Sequence, residues 1–385
     1  MPINPFNPYF PAHDDLFANR RKEQELFQRA LTASTQSSLP GAWNLAVVGP
    51  WGIGKTSLLR RFAWAAQMND PPVGVVSMTA TTATDGFDGF ARSLLWRIQR
   101  DLTANPRLNE GVRNELAKWE PKVNLGPISV SRRASKELSA ESGVDLLYAE
   151  LSRLWNQHIT GRLAAVLIFI DDANNLLEVD AKALLSLRAV FQDLQGHRMT
   201  YPLIITGPED MFEATRDVSE PVTRFFERLP IGPFSRQDTD EAIVEPLKAV
   251  NHPLRVLPSA IDAVYARTLG HPYFASFSMR ELVNAADILS LSKIDGQFVE
   301  SHWSLVAERM GEEKFAAEWN QATDGEREVL GFVAQNLPMS QGKRSASALA
   351  SRLVNKGLLV KRGRGQYALY HPLFAEYVRI HKVDR

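Results

Sequence analysis

Apolar positions along this chain fall into two rhythms that alternate. Short continuous runs rich in Val, Ile and Leu, such as "WNLAVVG" (43–49), "VGVVSMTAT" (73–81), "AAVLIFID" (164–171) and "YPLIIT" (201–206), read as strands buried on both faces. A shorter run, "RLPIGPF" (228–234), reads as a fifth strand. Between them the period lengthens to that of an amphipathic helix, as in "KTSLLRRFAWAAQ" and "GFDGFARSLLWRIQRDL". Strands alternating with helices predict an α/β fold with a parallel five-stranded core sheet covered on both faces.

After residue 234 the strand rhythm stops. "SRQDTDEAIVEPLKAV", "LPSAIDAVYARTLG" and "HPYFASFSMRELVNAADIL" predict a helical domain over 235–312. Over 313–385 two further amphipathic segments, "GEREVLGFVAQN" and "SASALASRLVNKG", precede two short strands in "LLVKRGRGQYALY" and a closing helix "PLFAEYVRIH". Helices followed by a two-stranded wing are the plan of a winged helix. The expected divisions are thus 1–40, 41–234, 235–312 and 313–385, with a small hairpin inserted at about 121–133 from "KVNLGPISVSRR".

Composition narrows the setting. The chain has 385 residues, enough for two or three cores, and its Lys+Arg and Asp+Glu balance at 44 each. No global charge announces a nucleic acid or a membrane. The longest apolar run, about the eight residues of "LAAVLIFI", is far short of a membrane span. No signal-peptide plan opens the chain and no cysteine is present, so a cytoplasmic protein without membrane partners is expected.

Chemistry enters where the first strand meets its helix. Gly49-Pro50-Trp51-Gly52-Ile53-Gly54-Lys55-Thr56 fits G-x-x-x-x-G-K-[ST] between strand and helix, the P-loop signature. Glycines let the backbone wrap a polyphosphate with its N–H groups inward, and the helix N-terminus adds partial positive charge. Gly49, Gly52, Ile53, Gly54, Lys55, Thr56 and Ser57 are the candidate binding residues, with Lys55 reaching the β- and γ-phosphates and Thr56 ligating Mg2+. The strand 164–171 ends in the acidic pair Asp171-Asp172. Asp171 is expected to hold Mg2+ and Asp172 to orient the attacking water as general base. Thr206, ending the 201–206 strand, stands where a γ-phosphate sensor would lie. With no guanine-reading N-K-x-D in the chain, ATP is the expected nucleotide.

These parts, in this order, resemble the AAA+ and STAND groups of P-loop ATPases over residues 14 to 380. "DDLFANRRKEQELFQRAL" is similar to the F-x-G-R-E-x-E-L box before their P-loop, with Arg20 at its arginine, Asn19 for the usual glycine and Arg21 for the usual acid. The resemblance implies that Arg20 lies near the adenine end of the nucleotide and that residues 235–312 form an α-helical lid. It implies that Gly270-His271-Pro272 is the G-x-P turn with which STAND and archaeal ATPases close over the nucleotide, placing Pro272 in the site. In STAND switches a histidine of the winged helix touches the nucleotide, and "ALYHPLF" puts His371 there. In AAA+ assemblies an arginine before the fifth strand reaches a neighbour's ATP, which implies Arg224 in "PVTRFFERLP", with Arg228 as the alternative. Prokaryotic origin-recognition-type, transposition-regulator and STAND ATPases all share this order.

Two tails complete the reading. From 343 to 385 there are ten Lys/Arg against two Asp/Glu, 10 − 2 = +8, in a chain that is neutral overall. Arg352 and Lys356 on the second helix, with Lys361, Arg362 and Arg364 on the wing, form an electrostatic footprint for duplex DNA. A winged helix used for protein contacts is the alternative, with partners the sequence does not identify. At the other end Pro2, Pro5, Pro8 and Pro11 recur every three residues, as in a polyproline strap whose pegs are Ile3, Phe6 and Tyr9. It is expected to lie across its own ATPase core or to dock on a neighbouring subunit. An ATPase switch that self-assembles on ATP is the function these features favour; a STAND-type regulator is the alternative.

Overall fold

Five strands set the frame. β1 (Leu45–Val48), β2 (Gly74–Thr79), β3 (Val166–Asp171), β4 (Leu203–Gly207) and β5 (Glu227–Pro230) form one parallel sheet in the order β2-β3-β4-β1-β5. The structure, a computed structural model, describes residues 2–12, 16–17, 19–36, 43–83, 85–122, 142–212, 222–337, 346–363 and 365–383. The hairpin expected at 121–133, with Arg132 and Arg133, lies outside the described residues except for its first two positions. No helix among the described residues is long and apolar enough to cross a membrane.

Successive strand residues point to opposite faces, and both faces are covered. Leu45, Val47, Val75, Leu167, Phe169 and Ile204 belong to one core with helices α1 (Arg21–Thr35) and α2 (Lys55–Gln67). There Phe27 and Phe62 stack with ring centroids 4.3 Å apart. Ala46, Val48, Val76, Ile168, Ile170 and Ile205 face a second core with α3 (Gly86–Ala104), α4 (Glu110–Leu116), α5 (Gly143–Leu154), α6 (Asn174–Val179) and α7 (Ala183–Gly196). Burial on both sides is why these strands read as unbroken apolar runs rather than alternating ones. A short α8 (Val222–Phe225) precedes β5.

The chain divides into two compact units, Pro11–Gly232 and a second made of Met1–Phe10 with Pro233–Arg385. The second unit opens on α9 (Arg236–Ala249), whose first turn is closed by a reciprocal capping box between Ser235 and Asp238. α10 (Pro258–Thr268) and α11 (Pro272–Ile288) each begin with proline, which has no N–H to satisfy there. α12 (Gly296–Met310), α13 (Ala316–Gln321), α14 (Asp324–Ala334) and α15 (Ala346–Asn355) lead to an antiparallel hairpin, β8 (Leu359–Gly363) with β9 (Gln366–Leu369), and to α16 (Pro372–Val383). A two-residue parallel pair, β6 (Arg255–Val256) and β7 (Lys293–Ile294), ties the loops that lead into α10 and α12. One core runs from α9 to α16, so the helical segment and the helix–hairpin segment fold together.

That core also takes in Phe6, which corrects the expectation that the N-terminal strap lies across the ATPase core. Gly270, between α10 and α11, is a fixed point of the unit. Its φ is +71°, its carbonyl accepts the Phe234 N–H at 2.8 Å, and a Cβ there would stand 2.0 Å from the Phe234 carbonyl oxygen. Gly270→Ala is expected to destabilise this unit by about 2 kcal/mol or more, read by denaturant unfolding. An unchanged midpoint would mean that the turn has no need of glycine.

Candidate nucleotide site

The loop after β1 is bent by glycines in conformations that side chains resist. Gly52 has φ +72° and Gly54 φ +97°, and Gly54 is the residue from which α2 starts. Gly49 has no room for a side chain, since a Cβ would lie 2.6 Å from the Ile231 carbonyl oxygen. Ile53 is fully buried beneath the loop and pins it to the α1–α2 core. Lys55 Nζ donates to the carbonyls of Gly49 and Pro50, each at 3.0 Å. Burial pulls its pKa below the ordinary lysine range, while Asp172 and then Asp171 oppose that shift. The cradle and the acid pair therefore share one electrostatic environment. Thr56 and Ser57, half-buried, complete the first turn of α2.

β3 carries the acids and β4 locks them. Asp171, the last residue of β3, accepts the Thr206 hydroxyl at 2.5 Å, and the same hydroxyl accepts the Asp172 backbone N–H at 2.9 Å. The Ala173 N–H donates to the Thr206 carbonyl at 2.8 Å, so the whole turn after β3 is sewn to β4. Thr206 is fully buried and its single donor is spent on Asp171. It holds the acid pair in place, a role finer than the phosphate sensor its position implies. Asp172 has φ +52°, a left-handed conformation that Asp tolerates better than most residues. Burial first, and Asp171 second, push its carboxyl above the usual range, against the pull of Lys55. A carboxylate of raised pKa is a better proton acceptor, as a general base requires.

Arg20 sits on the other flank of the cradle. Asn19 and Arg20 both take left-handed backbone, with φ of 73° and 60°. The Arg20 guanidinium donates to the carbonyls of Ile53 at 3.2 Å and Gly232 at 2.6 Å and pairs with Glu23 at 3.3 Å. It thus ties the loop to the end of β5. Arg61 on α2 is held by Gln24, whose amide in turn donates to the Asn19 carbonyl, which links the segment before α1 to the cradle helix. The local sequence gives no signal for these braces beyond the arginine itself.

Arg224 is exposed on α8. Arg228, the alternative, lies over the Phe212 ring at 4.6 Å, a packing role of its own. Glu227, the first residue of β5, receives the Trp43 indole N–H.

In the second unit, Pro272 starts α11 and His271 precedes it. His371 is buried, with Nε2 donating to the Thr268 carbonyl at 2.9 Å and Nδ1 accepting the Leu373 N–H at 3.2 Å. Burial lowers its pKa, so both bonds are those of a neutral ring. Both nitrogens are therefore committed within this unit. Arg352, Lys361 and Arg362 are exposed, whereas Lys356 Nζ bonds the buried Glu326 carboxylate at 2.7 Å and the Gln321 carbonyl at 3.0 Å. Lys356 is exposed as well, but it also braces the start of α14 against the end of α15. Arg364 lies outside the described residues.

Residues 41–214 match the family described as "AAA domain". In fold, the chain is similar to the ORC2 protein of Aeropyrum pernix in its ADPNP–ADP complexes, at 12% identity and TM-score 0.61 over 99% of this chain and 98% of that one. It is likewise similar to a Walker-type ATPase of Pyrococcus abyssi, at 15% identity and TM-score 0.58 over 94% and 96% of the two chains. No curated protein matches it in sequence. The fold is that of a P-loop AAA+ ATPase and resembles the origin-recognition proteins.

Proposed function

We propose that this chain, an AAA domain over 41–214 within an AAA+ fold, is an ATP-binding and ATP-hydrolysing switch that assembles with copies of itself and associates with duplex DNA. The observation that carries the reading is the cradle of Gly52, Gly54 and Lys55 facing an acid pair that Thr206 locks in place. The residues fit a magnesium nucleotide. Backbone N–H groups at the start of α2 receive phosphate oxygens, and Lys55 exchanges its two loop carbonyls for the β- and γ-phosphates. Thr56 and Asp171 would hold Mg2+, which neutralises charge on the transferred phosphoryl group. Asp172 takes the proton of the attacking water, helped by its raised pKa. Arg224, exposed on α8 just before β5, is the residue a neighbouring copy would present to the γ-phosphate.

Mass measurement with ADP and with a non-hydrolysable ATP analogue, each with and without duplex DNA, tests the reading. Growth of the particle with the ATP analogue supports it; a single mass in all four states overturns the assembly.

For the DNA contact, Lys361→Glu with Arg362→Glu is expected to weaken duplex binding about equally for all sequences. It should also flatten the slope of log K against log salt by about 2, one for each lost phosphate contact. Salt titrations of wild type and variant read this directly. Lys356→Ala should instead loosen the domain, because Glu326 would lose its partner.

One observation favours a second reading, a STAND-type regulator whose winged helix makes protein contacts. His371 is bonded at both nitrogens inside the second unit, clasping α16 to the end of α10. An unchanged duplex-binding curve for the wing variant at low salt would shift the choice to that reading.

A further inference from the structure

Residues 2–10 belong to the same compact unit as residues 233–385, although the whole of Pro11–Gly232 separates them in the chain. They form a strap of two tandem motifs, Asn4-Pro5-Phe6 and Asn7-Pro8-Tyr9. In each motif the Asn Oδ1 accepts the N–H of the aromatic residue two positions on, at 3.1 Å. A side-chain-closed turn around a proline is stiff, so the strap gives up little freedom when it docks.

The strap sits on α11. Phe6 is buried in the core that α11 helps to build. Asn4 Nδ2 donates to Asn284 Oδ1 at 2.8 Å and to the Arg280 carbonyl at 3.0 Å. The Arg280 guanidinium lies over two rings, 4.8 Å from the Tyr9 centroid and 4.6 Å from that of Phe277. Glu281 and Glu313 bond the same guanidinium at 2.7 and 3.0 Å. Residues of the 233–385 segment therefore hold the seat in shape, and the strap enters it as a ligand enters a site. No backbone of that segment ties the strap there, since its only covalent link runs through Pro11–Gly232.

The docked strap leaves apolar surface bare at its ends. Arg280, Asn284 and Ile288 have the four-residue spacing of one helix face. The strap takes the first two, while Ile288 is 77% exposed and Leu289 beside it is exposed too. On the strap, Ile3 and Phe10, which flank the two motifs, are 73% and 70% exposed. Large apolar side chains bare on both a docked segment and its seat mark a contact surface.

We propose that the strap is exchanged between copies of this chain, the Asn4-Pro5-Phe6 motif of one copy entering the α11 seat of another. An exchanged strap makes every bond that the resident one makes, so two effects set the balance. Covalent tethering favours the resident strap by its effective concentration, a lead that shrinks as the protein is concentrated. Ile3, Phe10, Ile288 and Leu289 favour exchange, because a second copy brings surface to cover them. The proposal rests on the assembly reading and names the link between copies.

The chain has no cysteine, so introduced thiols report this contact alone. Asn4→Cys and Asn284→Cys place one thiol on each side of a bond that seats the strap. The two single variants, one carrying a size tag, are mixed, oxidised and run on a denaturing, non-reducing gel. A disulfide joining tagged to untagged chain arises only between copies. It is expected to increase with protein concentration and with the non-hydrolysable ATP analogue. Adding Phe6→Ala to the Asn4→Cys chain should lower its yield about tenfold or more, as loss of a buried aromatic anchor does. A synthetic peptide of residues 2–10 should suppress it, and the same peptide with Phe6→Ala should not. Closure of the Asn4→Cys/Asn284→Cys double variant within single copies, with no mixed dimer at any concentration, would overturn exchange. A mixed dimer that the peptide leaves unchanged would overturn it too, and a double variant that closes nowhere would overturn the seat itself. Wild-type particles that grow with the ATP analogue while no mixed dimer forms would sink the exchange and leave the assembly reading standing. A single wild-type mass in all four states, with no mixed dimer, would overturn both.

Discussion

Lys55→Ala is expected to lower ATP hydrolysis by about a hundredfold or more, the cost of removing one preorganised donor from developing phosphoryl charge. Nucleotide affinity should fall by about 10- to 100-fold, as a charge-assisted hydrogen bond is lost. The fold should persist. Among the described residues, Lys55 Nζ hydrogen-bonds to the carbonyls of Gly49 and Pro50, and the loop's shape is set by Gly52, Gly54 and the buried Ile53. Its side chain is in fact held against a desolvation cost, seen in its lowered pKa, which the truncation relieves. A change in unfolding midpoint worth less than about 1 kcal/mol is therefore expected. Rate, nucleotide titration and thermal unfolding on one preparation separate these effects. A variant that hydrolyses ATP like the wild type would remove the P-loop from the chemistry.

What the sequence carried well was whatever depends on neighbours in the chain. The strands were legible because a sheet covered on both faces demands continuous apolar runs, and the P-loop because a phosphate cradle needs its glycines, lysine and threonine within eight positions. Asp171 and Asp172 stood out because an ionisable pair directly after a buried strand is costly without a task. Partners brought together by the fold were not legible. Nothing local says that Thr206 reaches both acids, since β3 and β4 become neighbours only in the sheet order. Lys356 read as a DNA contact because its surroundings are basic; that it also bonds Glu326, thirty residues away, was not legible. The periodic prolines of the strap were visible, but its seat was not, because Phe6 packs with residues from Ile243 onward in the same core. His371 was read as a nucleotide contact by its place in the resemblance, and its bond to the Thr268 carbonyl was not legible, because that depends on α10 and α16 meeting in the core.

Asp172→Asn is expected to keep nucleotide binding and to slow hydrolysis by about 10² to 10⁴, the usual weight of a positioned general base. The substitution tests chemistry rather than backbone. Asn tolerates the left-handed conformation that Asp172 adopts at φ +52°, and the N–H that Thr206 accepts is unchanged. Asp171, the proposed magnesium ligand, keeps its bond from Thr206. Aspartate is one methylene shorter than the glutamate that most AAA+ machines carry at the second acidic position, and it holds its carboxylate farther from the attacking water. The isolated subunit should therefore turn over slowly, as suits a switch. If a neighbour's Arg224 completes the site, the rate per subunit must rise with protein concentration, because assembly supplies the missing charge. Arg224→Ala should abolish that rise, lowering the assembled rate by up to about 10³-fold while nucleotide still binds. Arg228→Ala should leave the rise in place, because Arg228 is stacked on Phe212. Asp172→Asn should hold ATP and remain assembled, since it stops the step that would release the assembly. Rates measured from dilute to concentrated protein, with and without duplex DNA, decide between the two architectures. A per-subunit rate that stays flat across that range would rule out the shared site and leave a monomeric switch.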